Sequence, residues 1–364
     1  MLRIFWFSTL SILFLCNLIF SDTISDSDSL STSWEEIDGI IYGAIPDSSG
    51  QIGGGSNFTN IIKSGTFNVE NIDQLISALN VSQEGDTVFI KGEAIIDLTS
   101  MLLIEKYALT IPSGVVLAGN RGDEGSKGAI IISNVLDTPF MVKTLGNNVK
   151  ISGLRIRGPN DKQYIEHHKK SFGDNGKGRE YYYKFPLSIG IYSEYSELEV
   201  SNCEISAFSH SGIYLKHGEN NKIHHNYIHH CQFQGLGYGI CQDVSSSIIE
   251  YNLFNWNRHS IAGTGKTGCS YIARNNVELG NSLSHVFDMH GGVDRKDKTN
   301  IAGSNIEIYN NTFYSKKVLI NIRGTPEKDL SIYQNWFKNH SKSGKAIKSK
   351  KKIDIKKNKY GFFY

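Results

Sequence analysis

The sequence predicts an all-β chain wound as a parallel β-helix solenoid behind a short N-terminal capping helix, and three observations carry that expectation. Five segments read Ile-x-x-Asn-x-apolar: Ile223/Asn226/Ile228, Ile249/Asn252/Phe254, Ile272/Asn275/Val277, Ile308/Asn311/Phe313 and Ile332/Asn335/Phe337. A looser copy, Val200/Cys203/Ile205, precedes them, and the starts lie 23, 26, 23, 36 and 24 residues apart. Periods of that size mark a stacked repeat, because one short unit cannot bury its apolar face until a neighbour covers it. The apolar residues also alternate, many are β-branched, and Gly or Asn interrupts them every few positions. That pattern suits short strands and tight turns and argues against helix-pair repeats. An Asn recurring at one place in each coil fits a turn, where it tolerates left-handed angles and, when stacked, forms an amide ladder.

The 364 residues, 39% of them hydrophobic, suffice for one large domain, and a solenoid grows to that length as a single unit. Residues 1–21 begin Met1-Leu2-Arg3, run apolar from Ile4 to Phe20 and reach Ser21, the pattern of a secretory signal peptide. A retained membrane anchor is the alternative, the run being short for a span of ~20 apolar residues. The expected location is secreted, extracellular. Residues 22–65, rich in Ser, Asp, Gly and Thr, read as a linker and loosely packed lead-in.

Ile72, Leu75, Ile76 and Leu79 stand at helical spacing and predict a short amphipathic helix over 71–80, placed to cap the first coil. The β-helix is expected over 66–340, with a loop insertion at 159–186. There Tyr164, Tyr181, Tyr182 and Tyr183 interleave with His167, His168, Lys169, Lys170 and Arg179. That loop reads either as a plain surface excursion or as a carbohydrate-binding element. Residues 341–364 read as a basic tail, solvated or held to an anionic glycan, cell wall or membrane surface. Nucleic acid is not the expected partner of a secreted chain, and a monomer is expected. Cys203, Cys231, Cys241 and Cys269 allow three pairings, none of them favoured.

Between Asp73 and Arg157 the chain shows Asp73-Gln74-Leu75 with Ala78, Gly85-Asp86-Thr87-Val88 and Pro112-Ser113-Gly114-Val115. This stretch resembles the opening of the pectin-lyase-like superfamily, and the resemblance implies a right-handed, single-stranded parallel β-helix.

In parallel ladders equivalent residues of successive coils lie ~4.8 Å apart and alternate residues share a face. Aligning the strand after each Asn turn sets Tyr214, Ile240, Ile261, Phe287 and Ile320 inward. One residue later Leu215, Cys241, Ala262, Asp288 and Asn321 face outward; three residues after the inward position come His217, Asp243, Thr264, His290 and Arg323 on the same outer side. Gly212, Tyr238, His259 and His285 begin these strands. A purely structural sheet face would be served by solvated Ser, Thr or Lys, so the meeting of histidines with Asp288 and Arg323 marks the candidate site. Phe287-Asp288-Met289-His290 resembles the Phe-Asp-Pro-His signature of mannuronan C5-epimerases, with Met289 in place of Pro and His285 where a tyrosine is expected. The resemblance implies that Asp288 and His290 belong to the catalytic group.

β-Elimination and C5 epimerisation of a uronate both remove a weakly acidic proton beside a carboxylate, so each needs a base and a neutralising cation. The sequence assigns His290 as the base, Asp288 as its orienting partner, and His285 or His259 as the group returning a proton. Arg323, or Arg258 or Arg274, supplies the cation, and Arg258, Arg274, Tyr238, Asn321, Asp243 and His217 make up the substrate-binding set. The expected partner is an acidic polysaccharide. Two alternatives stay open: a glycoside hydrolase using Asp243 and Asp288, roughly 9–10 Å apart by ladder spacing, and a non-catalytic glycan-binding surface protein. The sequence points to no certain cofactor, and calcium through Asp288 or Asp243 is the metal left open. His224, His225, His229 and His230 fall at a turn on another side. Gly263, Gly265 and Gly268 with Lys266 and Thr267 have the wrong spacing for a phosphate loop; with Ala262, the small residues are expected to leave a hollow for substrate.

Overall fold

Alternating apolar residues set the architecture of the computed structural model, which describes residues 33–349 and 354–361; the predicted signal peptide lies outside them. Each coil contributes short strands to three parallel sheets of eleven, ten and nine strands. The eleven-stranded sheet turns Val88, Leu117, Ile151, Val200, Ile223, Ile249, Ala273, Ile308 and Ile332 inward at one register. The ten-stranded sheet does the same with Ile156, Ile205, Ile228, Phe254, Glu278, Phe313 and Phe337. All of these are buried, and each large aliphatic or aromatic side chain so placed contributes about 1.5–3 kcal/mol. The successive parallel crossovers wind right-handed, the hand that lets twisted strands pack back onto a common core.

Between these two sheets the predicted amide ladder forms. Asn226 donates from Nδ2 to Asn252 Oδ1 at 3.0 Å, Asn252 to Asn276, Asn276 to Asn311, Asn311 to Asn335 and Asn335 to Asn358. The same Nδ2 atoms reach backbone carbonyls, and the Oδ1 atoms accept the backbone N–H of the preceding rung. Two corrections follow. The rung is Asn276, not Asn275, because the register pairs Ala273 with Ile249 and Ile308. The left-handed residue is the one before each rung, His225, Tyr251, Asn275, Asn310, Gln334 or Lys357, so the rung amide is required for its hydrogen bonds rather than for its backbone angles.

That left-handed position leaves polar groups facing outward, and residues 33–60 cover them instead of forming a loose lead-in. The hairpin Trp34–Ile37 with Ile40–Gly43 sits beside the last coils, where the Gly43 N–H donates to the Gln334 carbonyl and the Ala44 N–H to Thr312 Oγ1. The chain then passes back along the turns: Asp47 meets His225 at 3.1 Å, the Gly53 N–H meets the Tyr251 carbonyl and the Gly55 N–H meets Asn202 Oδ1. Ala44, Ile52 and Phe58 are buried beneath this strap.

A helix at Ile72–Val81, N-capped by Asn71, buries Leu75, Ala78 and Leu79 in the main core. The insertion at 159–186 is ordered: helices Ile165–Phe172 and Gly178–Tyr182 pack Tyr164, His167, Tyr182 and Phe185 onto Phe233. The tail boundary also moves. Ile347–Ser349, Asp354–Lys356 and Lys359–Tyr360 join the three sheets as a further coil, because Ile347 continues the inward column of Ile320. The four cysteines of the described residues are buried and unbridged.

Candidate functional site

The nine-stranded sheet alternates two inward columns with an outward one. Ile213, Ile240, Ile261, Phe287, Ile320 and Ile347 point in at one register, and Leu215, Gln242, Gly263, Met289, Ile322 and Ser349 at the other. Between them Tyr214, Cys241, Ala262, Asp288, Asn321 and Lys348 form the outward row. The sequence alignment was therefore one residue out in the first of these strands: Ile213 and Leu215 are the inward pair, Tyr214 faces out, and Lys216 rather than His217 stands beside Asp243. His217 lies past the strand Ser211–Lys216, exposed and left-handed.

Asp288, His290 and Arg323 come together as expected. Arg323 grips Asp288 side-on, Nε to Oδ1 at 2.8 Å and Nη2 to Oδ2 at 2.6 Å. His290 Nε2 lies 3.2 Å from Asp288 Oδ2. The Asp288 carboxylate is wholly buried, while His290 and Arg323 keep 29% and 24% side-chain exposure, so the pair of exposed groups expected from the sequence is instead a buried acid holding two partly exposed partners. Burial alone would raise the Asp288 pKa, but the His290 hydrogen bond and nearby positive charge outweigh it and hold the acid well below the usual carboxylate range. An ionised Asp288 fixes the proton of a neutral His290 on Nε2 and leaves the Nδ1 lone pair as the available base.

His259 does not share that access. It is completely buried, stacked between Tyr238 at 5.7 Å and His285 at 5.4 Å, and its Nδ1 donates to the His285 carbonyl at 2.5 Å. Burial pushes its pKa down to about 3 although Asp288, 3.9 Å from Nε2, opposes the shift; desolvation wins because the ring has no exposed edge. His259 is thus sealed from solvent and bonded to the His285 backbone. Tyr238, 7% exposed, supports the same stack rather than offering a ring face. His285 is half-buried, its pKa lowered by burial.

Arg274 is elsewhere: it lies on the eleven-stranded sheet, bonded to Glu250 and Tyr309. Arg258 donates to the Leu236 carbonyl on the flank next to the insertion. Asp243 is occupied by Thr264 at 2.7 Å and Lys266 at 2.9 Å; burial would raise its pKa, but these partners lower it. The small residues are packing devices. Gly263 faces inward onto Met289, a Cβ on Gly265 would strike the His290 carbonyl, and Ala262 is buried against Tyr238 and Cys241, so the expected hollow is not formed by these residues.

Calcium takes six to eight oxygen ligands, whereas both oxygens of Asp288 are held by Arg323 and those of Asp243 by Thr264 and Lys266. Neither acid fits that ion as placed. Among the described residues no three His, Cys, Asp or Glu side chains converge as a metal set; His224 and His225 instead pair with each other and with Glu199 and Asp47.

An open cleft of ≈ 380 Å³ adjoins the Asp288 group, lined by Val293, Asp294, Asn321, Ile322, Arg323, Lys348 and Ser349. Asn321 was expected there. Lys348 and Asp294 were not, although extending the outward row one coil past Asn321 leads straight to Lys348.

A family model described as the right-handed β-helix region matches residues 113–282 and 188–360. No curated protein matches the sequence. Among solved structures the chain is similar to an alginate lyase from Paenibacillus sp. str. FPU-7, with 13% identity, a TM-score of 0.45, and coverage of 81% of this chain and 94% of that one. It is also similar to a family 28 exopolygalacturonase from Yersinia enterocolitica, with 12% identity, a TM-score of 0.40, and coverage of 83% and 76%.

Proposed function

Because the chain belongs to the right-handed β-helix family, with Asp288, His290 and Arg323 stacked on one wall of the solenoid, we propose that it is a secreted enzyme acting on an acidic, uronate-containing polysaccharide by β-elimination or C5 epimerisation. One observation carries the reading: an ionised, buried Asp288 holds both His290, through Nε2, and Arg323, and Arg323 lines an open cleft. His290 Nδ1 takes the C5 proton, the bonding pair moves into the substrate carboxylate as an enediolate, and Asp288 stabilises the imidazolium formed. Elimination then breaks the C4–O bond and leaves a C4=C5 double bond, the leaving oxygen taking a proton. Epimerisation instead returns a proton to C5 from the opposite face. His285 in its imidazolium form, held through its carbonyl by His259, is the group assigned to deliver the proton in either reaction, and because burial lowers its pKa that form is populated towards acid pH.

A paired-carboxylate hydrolase is a poorer fit. It needs one acid protonated near neutral pH, and both Asp243 and Asp288 have lowered pKa values with cations bound to them.

The test is His290→Ala assayed on alginate, pectate and glycosaminoglycan by near-ultraviolet absorbance, reducing ends and sugar NMR. General-base loss should cost about 10²–10⁴ in turnover, with the circular dichroism spectrum unchanged. Unaltered turnover removes the assignment. New reducing ends without unsaturation in the wild type would make it a hydrolase, and retention of polymer with no chemical change over many hours would make it a glycan-binding surface protein.

A further inference from the structure

Arg323 is the expected receptor for a substrate carboxylate, but its Nε–Nη2 edge is fully engaged by Asp288. Its remaining Nη1 faces a second acid, Asp294, at 3.6 Å. Asp294 is itself held in place, because its Oδ2 accepts the Gly291 N–H at 3.1 Å at the start of the short helix Gly292–Arg295. Two carboxylates therefore surround one guanidinium, and a polyanion approaching Arg323 alone meets an excess of negative charge.

Lys348 corrects that balance. It occupies the rung after Asn321 in the outward row, one strand spacing from it, and projects into the same cleft. Among the described residues Lys348 is exposed and takes part in no ion pair, unlike Lys216, Lys266 and Lys359. We propose that Lys348 receives the carboxylate of the sugar residue in the cleft, that Asn321 hydrogen-bonds the same sugar, and that Asp294 restrains binding by competing for the outer edge of Arg323. Val293, 65% exposed and lining the same cleft, offers the apolar contact suited to the C–H face of a sugar ring. This assignment rests on the acidic-polysaccharide reading and names the residue that recognises the acid.

The experiment measures equilibrium binding of defined uronate oligomers to the full chain carrying His290→Ala, so that turnover does not consume the ligand. A neutral oligomer of equal length serves as control. In that background Lys348→Gln should weaken acidic binding about ten- to a hundredfold, the loss of one charge-assisted contact, and should flatten its salt dependence. Lys348→Arg should restore most of the affinity. Asp294→Asn should tighten binding severalfold. Neutral-oligomer binding should not respond to either change. Unchanged affinity in Lys348→Gln, with the parent still preferring acidic over neutral oligomers, overturns the role of Lys348 and leaves the substrate class standing. A parent that shows no preference for acidic oligomers overturns both.

Discussion

At the turn between the eleven- and ten-stranded sheets the same amide recurs at each rung from Asn226 to Asn358, and each finds its partners on the coil before or after. On the outward row of the nine-stranded sheet the residue changes at every rung: Tyr214, Cys241, Ala262, Asp288, Asn321, Lys348. Both use one stacking distance. The difference lies in where the polar capacity goes. A repeated Asn closes its hydrogen bonds within the stack and asks nothing of solvent or ligand. A row of unlike residues cannot close on itself, so it buries Asp288 at a desolvation cost and leaves the Nδ1 of His290 and the ammonium of Lys348 for something outside.

The largest effect that would break this contrast is at Asp288. Asp288→Ala should remove turnover and destabilise the fold by about 3 kcal/mol, because the partly buried Arg323 then loses its two short contacts and keeps only Asp294, 3.6 Å from Nη1. Adding Arg323→Met to an Asp288→Leu background should recover stability to within about 1 kcal/mol of the wild type while activity stays lost. Chemical denaturation and product assays on the same samples read both quantities. If the double variant is as unstable as the single one, the pair is scaffold like the ladder, and the contrast fails.

Glu278 sharpens the contrast from inside. It takes the place of an aromatic residue between Phe254 and Phe313, and its carboxylate accepts N–H groups of Gly280, Ser282 and Ser315, clamping the segment that leads to His285. Burial raises its pKa to about 7, against the opposing backbone hydrogen bonds. An acid whose pKa rises on folding binds its proton more tightly in the native state, so its stabilising effect is complete below ~4.3 and is lost as pH rises towards 7. Wild-type stability should therefore fall by about 3 kcal/mol between pH 4.5 and 8 from this group. Glu278→Gln should abolish that slope even though its absolute stability is lower. An identical slope in the variant assigns the pH dependence to other groups.

Within the ladder, Asn276→Ala should cost about 1–3 kcal/mol by leaving buried partners unsatisfied. Asn275→Gly should cost less, about 1 kcal/mol or under, since glycine accepts the left-handed angle of 52° that Asn275 holds and only the side-chain contact to Tyr251 is lost. Equal costs would mean that the adjacent asparagines share one role. This pair also marks the limit of what the sequence shows. Strand periodicity, the repeat and the groove carrying Asp288, His290 and Arg323 were legible because inward residues must be apolar at fixed intervals. Asn275 and Asn276 were not separable, because either satisfies a loose spacing and only Ala273, small but inward, sets the register. His217 was misplaced for the same reason: Tyr214 reads as apolar, and only the Ile213/Leu215 alternation reveals that it faces out. Lys348 was hidden in a run of lysines whose composition suggested a tail, although Ile347 beside it completes a core column. Nothing in the spacing of His259 signals that a stacked ring on each side seals it from solvent.

The smallest effect concerns the strap. Residues 33–60 cross the ladder turns, far in register from the outward row of the nine-stranded sheet, and Asp47 contributes one contact to His225, whose ring is 2% exposed and also stacks on Tyr251. Burial lowers the pKa of His225 in spite of Asp47, so the contact is a hydrogen bond from a neutral ring to a carboxylate that retains 30% exposure. Asp47→Asn keeps an acceptor oxygen at that place and removes only the charge, which is worth under about 1 kcal/mol when partly solvated. Turnover on uronate polymer should match the wild type and the denaturation midpoint should shift only slightly. A large loss of activity in Asp47→Asn would couple the turn edge to the cleft and dissolve the division between a self-satisfied edge and a reactive face.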